Sequence, residues 1–329
     1  MKALITGGAG FIGVHLASLL LEDGYEVVLV DNFTRGVEDS FLKKLENDPR
    51  VNFATVDLLD REKVLALGDD YDYIYHLAAI IGVQIVLNRP GDVLRKNMEL
   101  LFNVIDLAEK QKHLKRFVFA STSEIYAGTL QFFEMEIPTP EDTPLTITPL
   151  DHPRTSYMLS KIYGEAVLEQ SGLPFTIVRP HNFYGPRMGM SHVIPELLKK
   201  TYAMSDGDHL EVASVEHSRS FCYIDDAVAM MKALAESSES LGQAFNIGNE
   251  AAEVTIGEVA EVVIQTVGRD IAIDPLPATP GSPVRRCPSM EKVRQCIGER
   301  ENVSLRDGVK RTFDWYRENI FDGSEVSAK

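Results

Sequence analysis

Cysteine is scarce. Cys222, Cys287 and Cys296 are the only three in 329 residues, too few and too odd in number for a disulfide framework. We therefore expect a reduced, cytoplasmic compartment. Tryptophan occurs once, and there is no long apolar run. The longest mostly apolar stretch, Tyr73–Val86, is broken by His76, Gly82 and Gln84. It is too short to cross a bilayer, so no membrane association is expected. The start, MKALITGG, lacks an apolar stretch followed by a small-residue cleavage site, so no signal peptide is expected. Positive charge is in deficit: 33 Lys and Arg against 49 Asp and Glu give a net charge of −16. That balance opposes binding to nucleic acid or to an anionic membrane face, though not to a small anion in a local basic pocket. Internal repeats and low-complexity blocks are absent. What remains, 44% hydrophobic and 25% charged, is ordinary globular composition with length for about two lobes.

Strands and helices alternate through the first half. Apolar runs at Ala3–Thr6, Glu26–Val30, Val51–Val56, Tyr73–Leu77, Arg116–Ala120 and Pro174–Val178 read as strands. Helical spacing marks Val14–Glu22, about 93–110 and Ser156–Gln170. This order predicts a doubly wound parallel α/β sheet. Past Arg179 the regularity breaks, and Asp274–Pro288 carries five prolines. We expect a dinucleotide-binding domain over 1–178 with 222–250 returning to it. A smaller interleaved lobe would take 179–221 and 251–321, and residues 322–329 would form a frayed tail.

Gly7, Gly10 and Gly13 form a GxxGxxG turn between the first strand and the first helix. Glycines there permit a tight turn, close approach of backbone to a pyrophosphate, and close packing of helix on sheet. The helix start, with Phe11 and Ile12, then offers free N–H groups to the phosphates. Asp31 ends the next strand 18 residues after Gly13. A carboxylate at that point suits a ribose hydroxyl and repels a 2′-phosphate, which favours NAD; the nearby Arg35 could tolerate such a phosphate. Asn32 adjoins it, and Asp57 and Leu58 close the third strand, within reach of an adenine.

Tyr157 and Lys161 are spaced i, i+4, one turn apart on a predicted helix. A phenol is a poor base at neutral pH, and a neighbouring ammonium stabilises its phenolate. Thr122, at the end of the fifth strand, would share the mouth of the same crevice and hold a substrate alcohol while Tyr157 takes its proton. Glu124 follows two residues on, a further candidate catalytic residue. The histidines lack metal-ligand spacing, and no metal is expected.

With these residues goes a set of segments: TGGAGFIG (6–13), HLAA (76–79), STSEIY (121–126), YMLSK (157–161), RPHNFYGPR (179–187), RSFCYIDD (219–226), FNIGN (245–249) and RRCPSM (285–290). Together they resemble the extended short-chain dehydrogenase/reductases, in the group of NAD-dependent nucleotide-sugar epimerases, dehydratases and decarboxylases. The resemblance implies a Rossmann-type sheet, bound NAD, a nucleotide-diphosphate sugar as substrate, and a homodimer formed through helices near 97–110 and 156–170. It implies that Leu77, Ala78, Ala79, Asn97 and Pro180 join the cofactor site. It further implies that Tyr157 and Lys161 also contact ribose and nicotinamide. Ser123, Arg154, Asn182, Arg187, His192, Arg219 and Arg286 would meet the sugar nucleotide. The Glu124 carboxylate could serve chemistry at C5 or accept a hydrogen bond from a sugar hydroxyl. Within the group, the helix YMLSKIYGE favours C4 epimerisation of an NDP-hexose or NDP-hexuronate through a 4-keto intermediate, our leading expectation. The Thr-Ser-Glu triplet, the Pro153–Arg154 pair and GPRM (185–188) resemble UDP-glucuronate decarboxylases, the alternative. A 4,6-dehydratase or 4-ketoreductase comes next, since Ser123 stands where a dehydratase of the usual pattern has an acid. A non-catalytic dinucleotide-binding protein comes last.

Overall fold

The computed structural model describes residues 1–279 and 281–323. Chain order begins β1 (Lys2–Thr6), α1 (Phe11–Glu22), β2 (Glu26–Asp31), α2 (Ser40–Glu46), β3 (Val51–Thr55), α3 (Arg61–Leu65) and β4 (Tyr73–His76). It continues through α4 (Val83–Asn88), α5 (Pro90–Glu109), β5 (Arg116–Ala120), α6 (Ala127–Phe132), α7 (Thr155–Glu169) and β6 (Phe175–Pro180). These strands, with a later one described below, form a seven-stranded sheet paired in parallel throughout. Its inner strands are almost wholly buried: β5 and β4 expose no residue, and Leu4, Ile5, Val27 and Leu29 are fully covered. Near-continuous apolar strands of this kind need helices on both faces. α1 supplies Val14, Leu16 and Leu20 to one core cluster, while α5 supplies Leu101, Val104 and Leu107 to another.

The chain then runs through β7 (Phe183–Tyr184), α8 (Val193–Ala203), β8 (His209–Ala213), β9 (Ser218–Ser220), β10 (Cys222–Tyr223), α9 (Ile224–Glu236) and β11 (Gln243–Ile247). β11 returns to the main sheet as a parallel neighbour of β6. β12 (Glu253–Thr255), α10 (Ile256–Val267), β13 (Ala272–Leu276), β14 (Arg285–Arg286), α11 (Glu291–Ile297) and α12 (Leu305–Tyr316) complete the order. The proline-rich stretch is extended where it forms strands. Pro275 lies in β13, which pairs only with β8, an edge position that tolerates a missing N–H. Of the tail expected to fray, 324–329 lie outside the described residues, while Asp322 accepts a hydrogen bond from the Tyr202 hydroxyl at 2.5 Å.

Sheet order decides where a ligand fits. It runs β3-β2-β1-β4-β5-β6-β11, so the chain reverses direction of travel between β1 and β4. The loops after those two strands diverge and leave a crevice beyond their carboxyl ends.

Candidate active site

The turn after β1 is built so that only glycine serves. Gly7 has φ +71°, and a Cβ on it would meet the Ala78 backbone nitrogen at 3.0 Å. A Cβ on Gly13 would stand 2.4 Å from the Gly7 carbonyl oxygen. Gly10 caps α1 without any side-chain hydrogen bond. The first-turn N–H groups of α1 thus face outward without a side-chain cap, as a phosphate requires. Asp31 is held ready: its carboxylate accepts from the Ala9 and Phe33 backbone N–H groups at 3.1 and 2.9 Å. Burial outweighs those bonds and raises its pKa.

A cavity of about 770 Å³ runs along this edge of the sheet. Gly7, Gly10, Phe11, Ile12, Gly13, Asp31, Asn32, Asp57, Leu58, Leu77, Ala78, Ala79 and Pro180 all line it. One oxygen of Asp57 accepts from the Leu59 N–H at 3.0 Å. The glycine cradle, the uncapped helix start and the strand-end acid together fit a dinucleotide. Arg35, Gln84, Asn88, Arg89 and Lys96 also line the cavity. Except for Arg35, singled out only for its nearness to Asp31, sequence reasoning passed over them, because no local motif marks them.

Three expected residues sit differently. Asn97 was expected against the cofactor, but its carboxamide clamps the Ile80 backbone, accepting from its N–H at 2.7 Å and donating to its carbonyl at 3.1 Å, and also reaches Ser160. It shapes the wall rather than lining it. Arg187 was expected on the sugar nucleotide. It is 4% exposed and closes on Asp39, the Val37 carbonyl and the Ala9 carbonyl, on the cofactor side. Its φ of +67° swings the side chain there, a backbone cost covered by the buried ion pair. His192, expected on the same ligand, lines the cofactor cavity with Met188 and Gly189.

Thr122, Tyr157 and Lys161 come together at the carboxyl end of β5, outside the set of residues that line this cavity, although Tyr157 and Lys161 were also expected on the cofactor. Thr122 ends the turn after β5 and accepts from the Glu124 N–H at 3.2 Å, opening a single helical turn over Ser123–Tyr126. Lys161 is 4% exposed, and its ammonium donates to the Ala120 carbonyl at 2.7 Å. It stands 4.8 Å from the centre of the Phe119 ring and 5.8 Å from that of Tyr157. Burial lowers the Lys161 pKa to about 7, with Glu165 opposing. Burial and the Glu124 charge push the Tyr157 phenol up, while a Thr122 hydrogen bond and the Arg35 charge pull it back. Behind the lysine, Glu165 and Arg179 form a buried bidentate pair at 3.1 and 2.7 Å, and Arg179 also donates to the Tyr126 hydroxyl at 2.7 Å. That pair locks α7, β6 and the Ser123–Tyr126 turn together.

Glu124 is ringed by cations. Arg286 donates to it at 3.1 Å and Arg154 lies 3.6 Å away. Burial alone would raise its pKa, but Arg286, Arg154 and Arg219 outweigh that and hold it below the usual range. Arg286 in turn depresses the pKa of Arg219, after burial. Arg219 donates to the Pro283 carbonyl and Ser282 hydroxyl at 2.7 and 2.9 Å. Asn182, at φ +41°, donates to the Ser220 carbonyl at 2.9 Å. Ser123 is buried.

The family model described as the NAD dependent epimerase/dehydratase family matches residues 3–248. A UDP-N-acetyl-alpha-D-glucosaminuronate decarboxylase of Bacillus cytotoxicus is 33% identical over 96% of this chain and 98% of its own length. UDP-glucuronic acid decarboxylase 1 of Xenopus tropicalis is 31% identical over 97% of this chain and 73% of its own. Among solved structures, a UDP-glucuronic acid 4-epimerase from Bacillus cereus, in complex with UDP-glucuronic acid and NAD, superposes with TM-score 0.80. It is 27% identical, covering 96% of this chain and 99% of that one.

Proposed function

The chain belongs to the NAD-dependent epimerase/dehydratase family, and from that premise we propose that it decarboxylates a nucleotide-diphosphate hexuronate. The observation that carries the reading is the ring of Arg154, Arg219 and Arg286 about the single carboxylate of Glu124. Three guanidinium groups against one acid leave surplus positive charge beside Tyr157, in a protein of net charge −16. The diphosphate that every nucleotide-sugar carries would take part of that surplus, and a C6 carboxylate adds a second anion for it that a neutral hexose lacks.

When bound, NAD would supply a hydride acceptor for C4 and would return that hydride after CO₂ has left, which keeps the reaction redox-neutral. Tyr157 takes the proton of the C4 hydroxyl, with Thr122 orienting that hydroxyl and Lys161 stabilising the phenolate. A ketone at C4 makes the uronate a β-keto acid. The C5–C6 bond then breaks, its electron pair moves toward the C4 oxygen, and the protonated Tyr157 faces the developing enolate. Arg286 and Arg154 hold the departing carboxylate in place. Glu124, kept ionised by its neighbours, orients the arginines and cannot itself give up a proton at neutral pH.

The two decarboxylase relatives support this reading over the epimerisation expected first from the YMLSKIYGE helix. The same carboxylate pocket would also serve a uronate 4-epimerase, as the similarity to the Bacillus cereus enzyme suggests, so product mass must discriminate. The test is incubation with UDP-glucuronate and with UDP-N-acetylglucosaminuronate. Loss of CO₂ is the expected outcome, and an unchanged product mass would replace decarboxylation by epimerisation. Arg286→Met should cut kcat/KM for the uronate by about a hundredfold, since it removes a charge-assisted hydrogen bond and strands Glu124. An unaffected rate would remove the arginine ring from the argument.

A further inference from the structure

Arg35 lies on the loop between β2 and α2, four residues past the strand-end acid Asp31. Its Nη1 donates to the Ile81 carbonyl at 3.0 Å, on the loop that leaves β4. Both residues line the cofactor cavity. β1 sits between β2 and β4 in the sheet. A tie from the β2 loop to the β4 loop therefore passes over the turn that follows β1, the glycine cradle itself.

The charge of this arginine is uncommitted. Among the described residues it forms no ion pair, and the Ile81 bond uses one of its five N–H donors. Its neighbours show which part of a dinucleotide it faces. Desolvation in the cavity lowers its pKa, and the group acting on it there is the Tyr157 phenol. It also acts on His192, across the cavity. Asp31, at the ribose end, feels Arg187 instead. Its bond to Ile81 carries the guanidinium from the Asp31 side of the cavity to the β4 loop. The other arginine near the cradle, Arg187, is already spent on Asp39.

We propose that Arg35 is a clasp for the cofactor: its guanidinium pairs with the cofactor's pyrophosphate while tying the β2 and β4 loops over it, so that the dinucleotide stays bound through turnover. Retention matters for a redox-neutral reaction, because the hydride must return from the molecule that received it. The proposal rests on the NAD site and is independent of whether the reaction is decarboxylation or epimerisation.

The test uses the full chain with Arg35→Ala, Arg35→Gln and Arg35→Lys. The readouts are NAD per protomer after gel filtration, and calorimetric Kd values for NAD, NADP and ADP-ribose on stripped protein. Loss of a charge-assisted pair should weaken NAD and ADP-ribose alike by roughly ten- to a hundredfold in the alanine and glutamine variants. Co-purified NAD should fall, the NAD/NADP ratio of Kd values should stay as in wild type, and lysine should restore part of the affinity. Wild-type Kd values in a folded Ala or Gln variant would overturn the clasp. So would weakening confined to NADP, which would put Arg35 at the 2′-phosphate position. Uronate turnover by these variants at saturating added NAD reports separately on the proposed reaction.

Discussion

Tyr157 is held between opposing fields. Burial and Glu124 favour its neutral form, Thr122 and Arg35 its phenolate. Lys161 answers to burial as well, titrating near 7 rather than at 10.5. Between those two values the unfolded lysine carries a proton that the folded one has released. The unfolded state therefore binds more protons there, and stability rises with pH across that window. Lys161→Met should flatten the rise. Urea unfolding of the cofactor-free protein at pH 7 and pH 9 measures it, and an equal gain with pH in wild type and variant would show that the lysine is not desolvated. His76, bonded to Thr6 at 2.9 Å, and His181, bonded to Asn246 at 3.1 Å, behave in a parallel way. Burial holds both near 3 against an ordinary 6.5. Both stay neutral in the fold, and the stability they contribute is lost as pH falls from 6.5 toward 3.

Among the elements, the β1–turn–α1 unit is the one on which the cofactor cradle depends. Gly13→Ala would drive a Cβ into the Gly7 carbonyl, a backbone atom that cannot yield without moving the cradle. The variant is expected to purify without NAD and with a lower Tm. Cofactor absorbance and thermal unfolding check this, and stoichiometric NAD would mean that the turn can relax. This unit was legible in the sequence because its spacing is local: three glycines, a strand before and a helix after. α7 was equally legible, since Tyr157 and Lys161 share a face at one-turn spacing. The 79–96 wall was not, because Asn97 acts on Ile80 through a long-range contact that no local pattern encodes. The partners of Arg187 were not legible for a related reason. Its motif, RPHNFYGPR, gave its place in the chain, while a left-handed backbone and a distant Asp39 decided where its side chain points.

At the scale of the molecule, α5 and α7 pack on each other and leave Phe102 and Tyr163 exposed, their rings edge-on at 6.4 Å. The homodimer implied by the resemblance would cover this face. We expect Phe102→Glu with Tyr163→Glu to give a particle of 36.6 kDa by light scattering where the wild type gives twice that. A wild-type monomer, or a variant that stays dimeric, would place the interface elsewhere or remove it. The segment after β6 is tied back to α1 and to the residue before α2 by contacts distant in sequence: His15 to the Pro186 carbonyl at 3.1 Å, and Arg187 to Asp39.

The sequence by itself determined the alternation of strands and helices, the glycine cradle, the strand-end acid and the Tyr–Lys pair, because each is a local pattern of period or spacing that the backbone must obey. Tertiary contacts were needed to bring Arg154, Arg219 and Arg286 around one carboxylate, to bond Arg35 to the Ile81 carbonyl, and to set Asn97 on Ile80 and Arg187 on Asp39 and the Ala9 carbonyl. These are encounters between residues up to 178 positions apart, as with Arg187 and Ala9. They are fixed by sheet order and loop path, which no short window of sequence contains.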